Sequence, residues 1–158
     1  MEIPFEKLNY KFLKKPIVVG GMAMEYYGLR KSGKDIDLIA TEEDVINLIK
    51  MYPDRVKDLY SDLGVCPLEF EIWRTISFLN YDRLKENAIE EPDFLMISID
   101  NLLLMKVLAI KKEKYLEDTK LIVEKLTKDL YKDYDNEKNK VQDIIKKLGN
   151  LTYIEKRP

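Results

Sequence analysis

Between Ile17 and Ala40 the chain changes its hydrophobic period twice, and this step constrains the fold more than any other stretch. Ile17-Val18-Val19 is a short apolar run behind Pro16, which cannot sit inside a helix and so opens a strand. The Gly20-Gly21 pair punctuates it, and Met22 to Tyr27 then reads as a helix ended by Gly28. After a polar loop from Leu29 to Lys34, Asp35 to Ala40 alternates charged and apolar residues. That alternation predicts a half-buried strand with Ile36 and Leu38 on one face. Strand, helix and strand in close succession require a sheet and helices around one core.

The remaining segments fit the same class. Residues 5–14 are expected to be helical up to Pro16. Thr41, followed by Glu42, Glu43 and Asp44, is a helix start with a capping hydroxyl and acids in the first turn, and the helix should run to about Met51. Residues 54–66 show no decisive period. Leu68 to Ile72 alternates again, with Glu69 and Glu71 on one face and Leu68, Phe70 and Ile72 on the other. A short helix near 80–88 and a strand near 94–99 follow. Three helices are then expected, at about 101–112, 115–132 and 137–148, the last striped by Val141, Ile144, Ile145 and Leu148. The expectation is an α+β fold, a small mixed sheet flanked by helices with a helical C-terminal tail. Residues 1–100 form its core, and 101–158 form an extension packed on that core within one structural domain.

Composition removes several chemistries. The chain has no histidine and one cysteine, Cys66, which excludes Ser-His-Asp and Cys-His catalysis and makes a Cys/His zinc site untenable. Any metal would be hard and held by carboxylates. No apolar run reaches the roughly 18–20 residues of a membrane span. The amino-terminal stretch lacks the apolar segment and cleavage site of a secretory signal, so a cytoplasmic protein without membrane association is expected. Net charge is −2, but residues 1–100 carry 13 basic and 19 acidic side chains against 14 and 10 in 101–158. A mildly basic C-terminal third suits a phosphate-rich partner, although a solvated lysine surface explains it as well.

Three features of the first 71 residues converge on one chemistry. A strand delivers Gly20-Gly21 into a helix, where small residues let a phosphate approach free N–H groups at the positive dipole end. Asp35 and Asp37 share one face of a strand, and two carboxylates so close repel unless a cation bridges them. Glu69 or Glu71 on a later strand completes the group if the strands are neighbours. Lys106 is set apart as the only charge in the run from Leu102 to Ile110, where a lysine needs a partner, a phosphate or an outlet to water.

Val19-Gly20-Gly21, thirteen residues, then Asp35-Ile36-Asp37-Leu38 resembles the signature of the polymerase-beta-like nucleotidyltransferase superfamily. Its third carboxylate looks like Glu71 in Phe70-Glu71-Ile72, with Glu69 as a substitute. The resemblance extends to the small nucleotidyltransferase-like proteins that include the abortive-infection toxins. Their N-terminal block is similar to Gly20-Gly21-Met22-Ala23 with Gly28, Arg30 and Ser32, and their C-terminal block to Lys106-Val107-Leu108-Ala109 with Lys114 and Asp118. Those toxins often carry an arginine ahead of that block, where this chain has Lys111, Lys112 and Glu113.

The resemblance implies a nucleotidyltransferase fold and attack of a hydroxyl on the α-phosphate of a nucleoside triphosphate, releasing pyrophosphate. Two magnesium (or manganese) ions would be held by Asp35, Asp37 and Glu71. Gly20 and Gly21 would cradle the β- and γ-phosphates, Arg30, Ser32 and Lys34 would add charge and hydrogen bonds, and Lys106, Lys114 and Asp118 would form a facing wall. The acceptor would be an RNA or a protein, with an antitoxin or other protein partner if the toxin likeness holds. The rival expectation is a catalytically inactive module of the same fold that binds a nucleotide or a partner.

Overall fold

A computed structural model describes residues 1–59, 61–109 and 111–149. The chain opens with a 3-10 turn at Phe5–Leu8 rather than the expected helix over 5–14. Asn9 takes a left-handed conformation there (φ 46°). The segment that follows is held instead by Asp44, fully buried, which accepts the Tyr10 hydroxyl (2.9 Å) and the Leu13 N–H (2.8 Å). Then come β1 (Ile17–Val18), α1 (Gly20–Tyr26), β2 (Ile36–Ile39) and α2 (Glu42–Met51). Thr41 caps α2 as its sequence predicts, its hydroxyl accepting the Asp44 N–H at 3.2 Å.

The stretch without a decisive period forms a hairpin, β3 (Val56–Leu59) and β4 (Asp62–Val65). It precedes β5 (Phe70–Trp73). Leu68 does not join the apolar face expected for it. It sits at φ 52° in the turn closed by Phe70 N–H to the Pro67 carbonyl, and is 65% exposed. Small elements follow: β6 (Thr75–Ile76), β7 (Leu79–Asn80), α3 (Tyr81–Leu84), β8 (Ile89–Glu90) and β9 (Leu95–Met96). Two helices follow, α4 (Ile99–Leu108) and α5 (Glu113–Leu148). The two helices expected at 115–132 and 137–148 are one. The polar run Asp133-Tyr134-Asp135-Asn136 contains neither glycine nor proline, and its modest helix propensity does not stop an established helix.

Among the described residues seven strands form one mixed sheet in the order β3-β4-β5-β2-β1-β9-β8, and β6 and β7 pair separately. β2 runs parallel to β5 and antiparallel to β1, which runs parallel to β9. Ile17, Val18, Leu38, Ile39, Phe70, Ile72 and Met96 are fully buried along these central strands. Gly64 is required by packing: a Cβ there would lie 2.4 Å from the Trp73 ring. The fold is therefore α+β with a mixed sheet. The chain divides into two compact units, 1–122 and 123–158. Residues Glu113 to Ile122 of α5 belong to the first. No helix among the described residues is long and apolar enough to cross a membrane.

Candidate functional site

The parallel pairing of β2 with β5 sets the centre of the site. Its register opposes Asp37 to Glu71, between Ile36↔Phe70 and Leu38↔Ile72. Directly opposed residues on adjacent strands are about 4.8 Å apart at their backbones and share a face, so two carboxylates stand side by side. Their crowding leaves a mark. The Asp37 carboxyl is pushed up to about 6, first by burial and next by the Glu71 charge, against the Gly21 N–H and the Lys106 ammonium, which favour its ionised form.

The other acids are placed differently. Asp35 lies one residue before β2, is exposed, and lines a cavity together with Lys57, Glu69 and Glu71. Glu69 also precedes its strand; its carbonyl accepts the Ile36 N–H at 2.8 Å, while its carboxylate pairs with Lys7 at 2.5 Å. Glu71 pairs with Lys57 at 2.9 Å on a half-open surface, an interaction worth at most about 1 kcal/mol.

The glycine turn abuts Asp37. Gly20 has φ +63°, and a Cβ on it would lie 2.0 Å from Asp37 Oδ2. Gly20 is glycine for conformation and for space. Gly21 is different: an added Cβ would meet nothing nearer than the Gly33 nitrogen at 3.5 Å. Gly20→Ala is therefore expected to destabilise the chain by about 1–2 kcal/mol from the left-handed backbone alone, and to displace Asp37 as well. Gly21→Ala is expected to leave the denaturation midpoint nearly unchanged. Urea unfolding of the two variants checks the contrast.

A cavity of about 110 Å³ opens beside this turn, lined by Gly20, Gly21, Asp37, Lys106, Lys114 and Tyr115 among others. Arg30, Ser32 and Lys106, all expected to bind phosphate, are held by carboxylates of the chain. Arg30 turns its guanidinium onto Asp118, Nε to Oδ1 at 2.6 Å and Nη2 to Oδ2 at 2.9 Å, and gives Nη1 to the Lys31 carbonyl. Asp118 also accepts Lys106 Nζ at 2.7 Å, both side chains nearly sealed from solvent at 2% and 6% exposed. Ser32 donates its hydroxyl to Glu25, which also accepts the Ser32 N–H at 3.0 Å. Lys34 is exposed in the loop before β2.

Burial would raise the Asp118 carboxyl, but its hydrogen bonds from Arg30 and Lys106 outweigh that and hold it below the usual carboxylate range. The Lys106 ammonium sits over the Tyr115 ring at 4.8 Å, and burial lowers its proton affinity despite Asp118. Sequence reasoning singled out Lys106 for its isolation but did not join it to Asp118, and Arg30 is 88 positions from the same carboxylate.

Among the described residues no three acids or cysteines gather closely enough to make a ready metal cage. The chemistry of Asp37 and Glu71 nonetheless suits a hard divalent cation: oxygen donors, side by side, with Asp37 pushed toward protonation by burial and by the Glu71 charge. Comparisons with protein-family models, curated proteins and solved structures return no match to this chain.

Proposed function

We propose that the chain is a nucleotidyltransferase that moves a nucleoside monophosphate from a nucleoside triphosphate to a hydroxyl of an RNA or protein acceptor. The observation that supports it most is the opposition of Asp37 and Glu71 beside the helix start at Gly20-Gly21. Backbone N–H groups at the start of α1 offer the phosphates a binding edge, and Lys106 and Lys114 line the same cavity. Asp37 and Glu71 would hold magnesium or manganese, with Asp35 reaching in from its loop; when bound, the ion offsets triphosphate charge and polarises the reacting oxygens. Glu71 must leave Lys57 to take part, so Lys57 is a competitor for the acid. Ionised, Asp37 and Glu71 can each accept a hydrogen bond from an incoming hydroxyl; the Gly20 turn fixes Asp37 against the cavity wall.

Incubation with triphosphates labelled at the α-phosphate, magnesium or manganese, and either total RNA or total protein is expected to transfer label to one acceptor class. Asp37→Asn is expected to abolish transfer. A second reading, nucleotide binding without catalysis, is favoured by the absence of a ready three-acid cluster among the described residues. It requires binding of a non-hydrolysable triphosphate with no label transfer under any condition. The metal gives a separate check. Lys57→Met frees Glu71, and is expected to enlarge the rise in melting temperature that magnesium produces, read by thermal denaturation with and without the ion.

A further inference from the structure

The second compact unit contains the C-terminal part of α5, a helix with an apolar stripe that nothing within that unit covers. Val123, Leu130, Tyr134, Val141, Ile144 and Leu148 are all exposed. Together with Thr127 and Glu137 they recur at alternating steps of four and three from Val123 to Leu148. That is a heptad seam: Val123, Leu130, Glu137 and Ile144 take the d positions, and Thr127, Tyr134, Val141 and Leu148 the a positions. Leu126, Tyr131 and Ile145 widen the stripe at flanking positions, but the eight seam residues keep a strict seven-residue repeat rather than drifting with the 3.6 period.

We propose that this seam is a self-association surface, pairing with the same helix of a second copy as an antiparallel two-stranded coiled coil. Charge chooses the partner and the direction. In an antiparallel pair an a position faces a d position of the other helix, and the whole seam is used when Val123 meets Leu148 of the second copy. The layers between are then Thr127 with Ile144, Leu130 with Val141, and Tyr134 with Glu137, each occurring twice by symmetry. Glu137, the only charge in the seam, thus faces a tyrosine hydroxyl able to donate to it. In the same register the flanking g positions bring Asp133 opposite Lys140, again twice. The flanking e positions set Lys138 beside Tyr131, a cation over an aromatic face. No like charges are opposed. A parallel pair would instead stack Glu137 on Glu137 in its centre, where desolvation makes the repulsion costly. The helix also gains from the partner, since most helical stability in proteins comes from packing an apolar face.

Sedimentation of the full chain, with far-ultraviolet dichroism to verify folding, tests the proposal. The expected mass is twice the 18.7 kDa of one chain. Leu130→Glu with Ile144→Glu, both exposed positions, should return it to a monomer with its helix content largely kept. Asp133→Lys alone should weaken the dimer by about tenfold or more in dissociation constant, since two sites change at once. Adding Lys140→Asp should restore it. Restoration by Lys138→Asp instead would identify the parallel arrangement, in which Asp133 meets Lys138, and would overturn the antiparallel register. A monomer at all concentrations overturns the proposal and leaves the seam to another protein or to another part of the same chain. A dimer that survives the double glutamate variant overturns it too, by placing self-association elsewhere.

Discussion

Asp118→Asn is expected to lower the stability of the chain by about 3–5 kcal/mol, the cost of breaking a buried ion pair from one side. Asp118 holds two cations at once, Arg30 from the loop before β2 and Lys106 from α4, through three contacts of 2.6–2.9 Å. Asparagine keeps the shape but offers one acceptor oxygen and no charge, so buried Lys106 and half-buried Arg30 lose their counter-ion together. Lys106 can shed its proton, and its lowered proton affinity shows that it stands closer to doing so than an exposed lysine. Arg30 has no such escape. The converse variant is milder: Lys106→Met leaves Asp118 with both guanidinium contacts and fills the apolar site with a chain of similar length. A loss of about 1–2 kcal/mol is expected, smaller than that of Asp118→Asn. Guanidinium midpoints of the two variants give the ranking directly. Equal losses would mean that the lysine, not the arginine, is the counter-ion that matters. Because Lys106 lines the cavity and is fixed by Asp118, loss of triphosphate binding in Asp118→Asn has to be judged against this structural cost.

Local chemistry was legible in the sequence where it was set by neighbours in the chain. Proline and the glycine pair delimited β1 and α1, and the hydroxyl of Thr41 placed the start of α2 within a residue. The alternation around Ile36 and Leu38 located β2 because both are buried while Asp37 between them is only partly so. Legibility failed where distant contacts decide. The β3–β4 hairpin has no readable period: β3 is exposed along its length, and β4 contains Gly64, chosen for the approach of Trp73. The helix expected over 5–14 was lost to Asp44, which holds that segment from α2, 31 positions away. Leu68 obeyed alternation in sequence but is spent on a turn.

The acids divide along the same line. Alternation alone made Glu69 and Glu71 equivalent and placed Asp35 beside Asp37. Strand register separates the two glutamates, setting Glu71 opposite Asp37, while Glu69 is bound to Lys7. Register is not written in a single strand; it emerges from which residues of two strands both need burial, here Ile36 with Phe70 and Leu38 with Ile72.

Asp37→Asn is expected to stabilise the chain while abolishing transfer, a combination that separates a site residue from a structural one. The sign follows from the direction of the shift. The Asp37 carboxyl is raised from an ordinary value near 4 to about 6, so the folded chain holds its proton more tightly than the unfolded chain does. The folded state bears no penalty below about pH 4, where both states are protonated. The penalty grows as pH rises and is complete above about pH 6, where it reaches about 2–3 kcal/mol. Asparagine removes the charge and, with it, the repulsion from Glu71 and the cost of burying an anion. The gain in midpoint should therefore be present at pH 7.5 and vanish near pH 4. A divalent cation should substitute for the mutation: magnesium should raise the melting temperature of the parent chain more at pH 7.5 than at pH 5, where protons compete for Asp37, and should do far less for Asp37→Asn. Transfer, if it uses the ionised carboxylate, should rise through the same interval and level off above it, with added metal moving the inflection to lower pH. Thermal unfolding of both chains across pH 4–8, with and without magnesium, yields all of these slopes in one series. Should Asp37→Asn prove less stable than the parent at pH 7.5, the carboxylate is held by partners that outweigh its burial, and Asp37 belongs to the scaffold instead of the site.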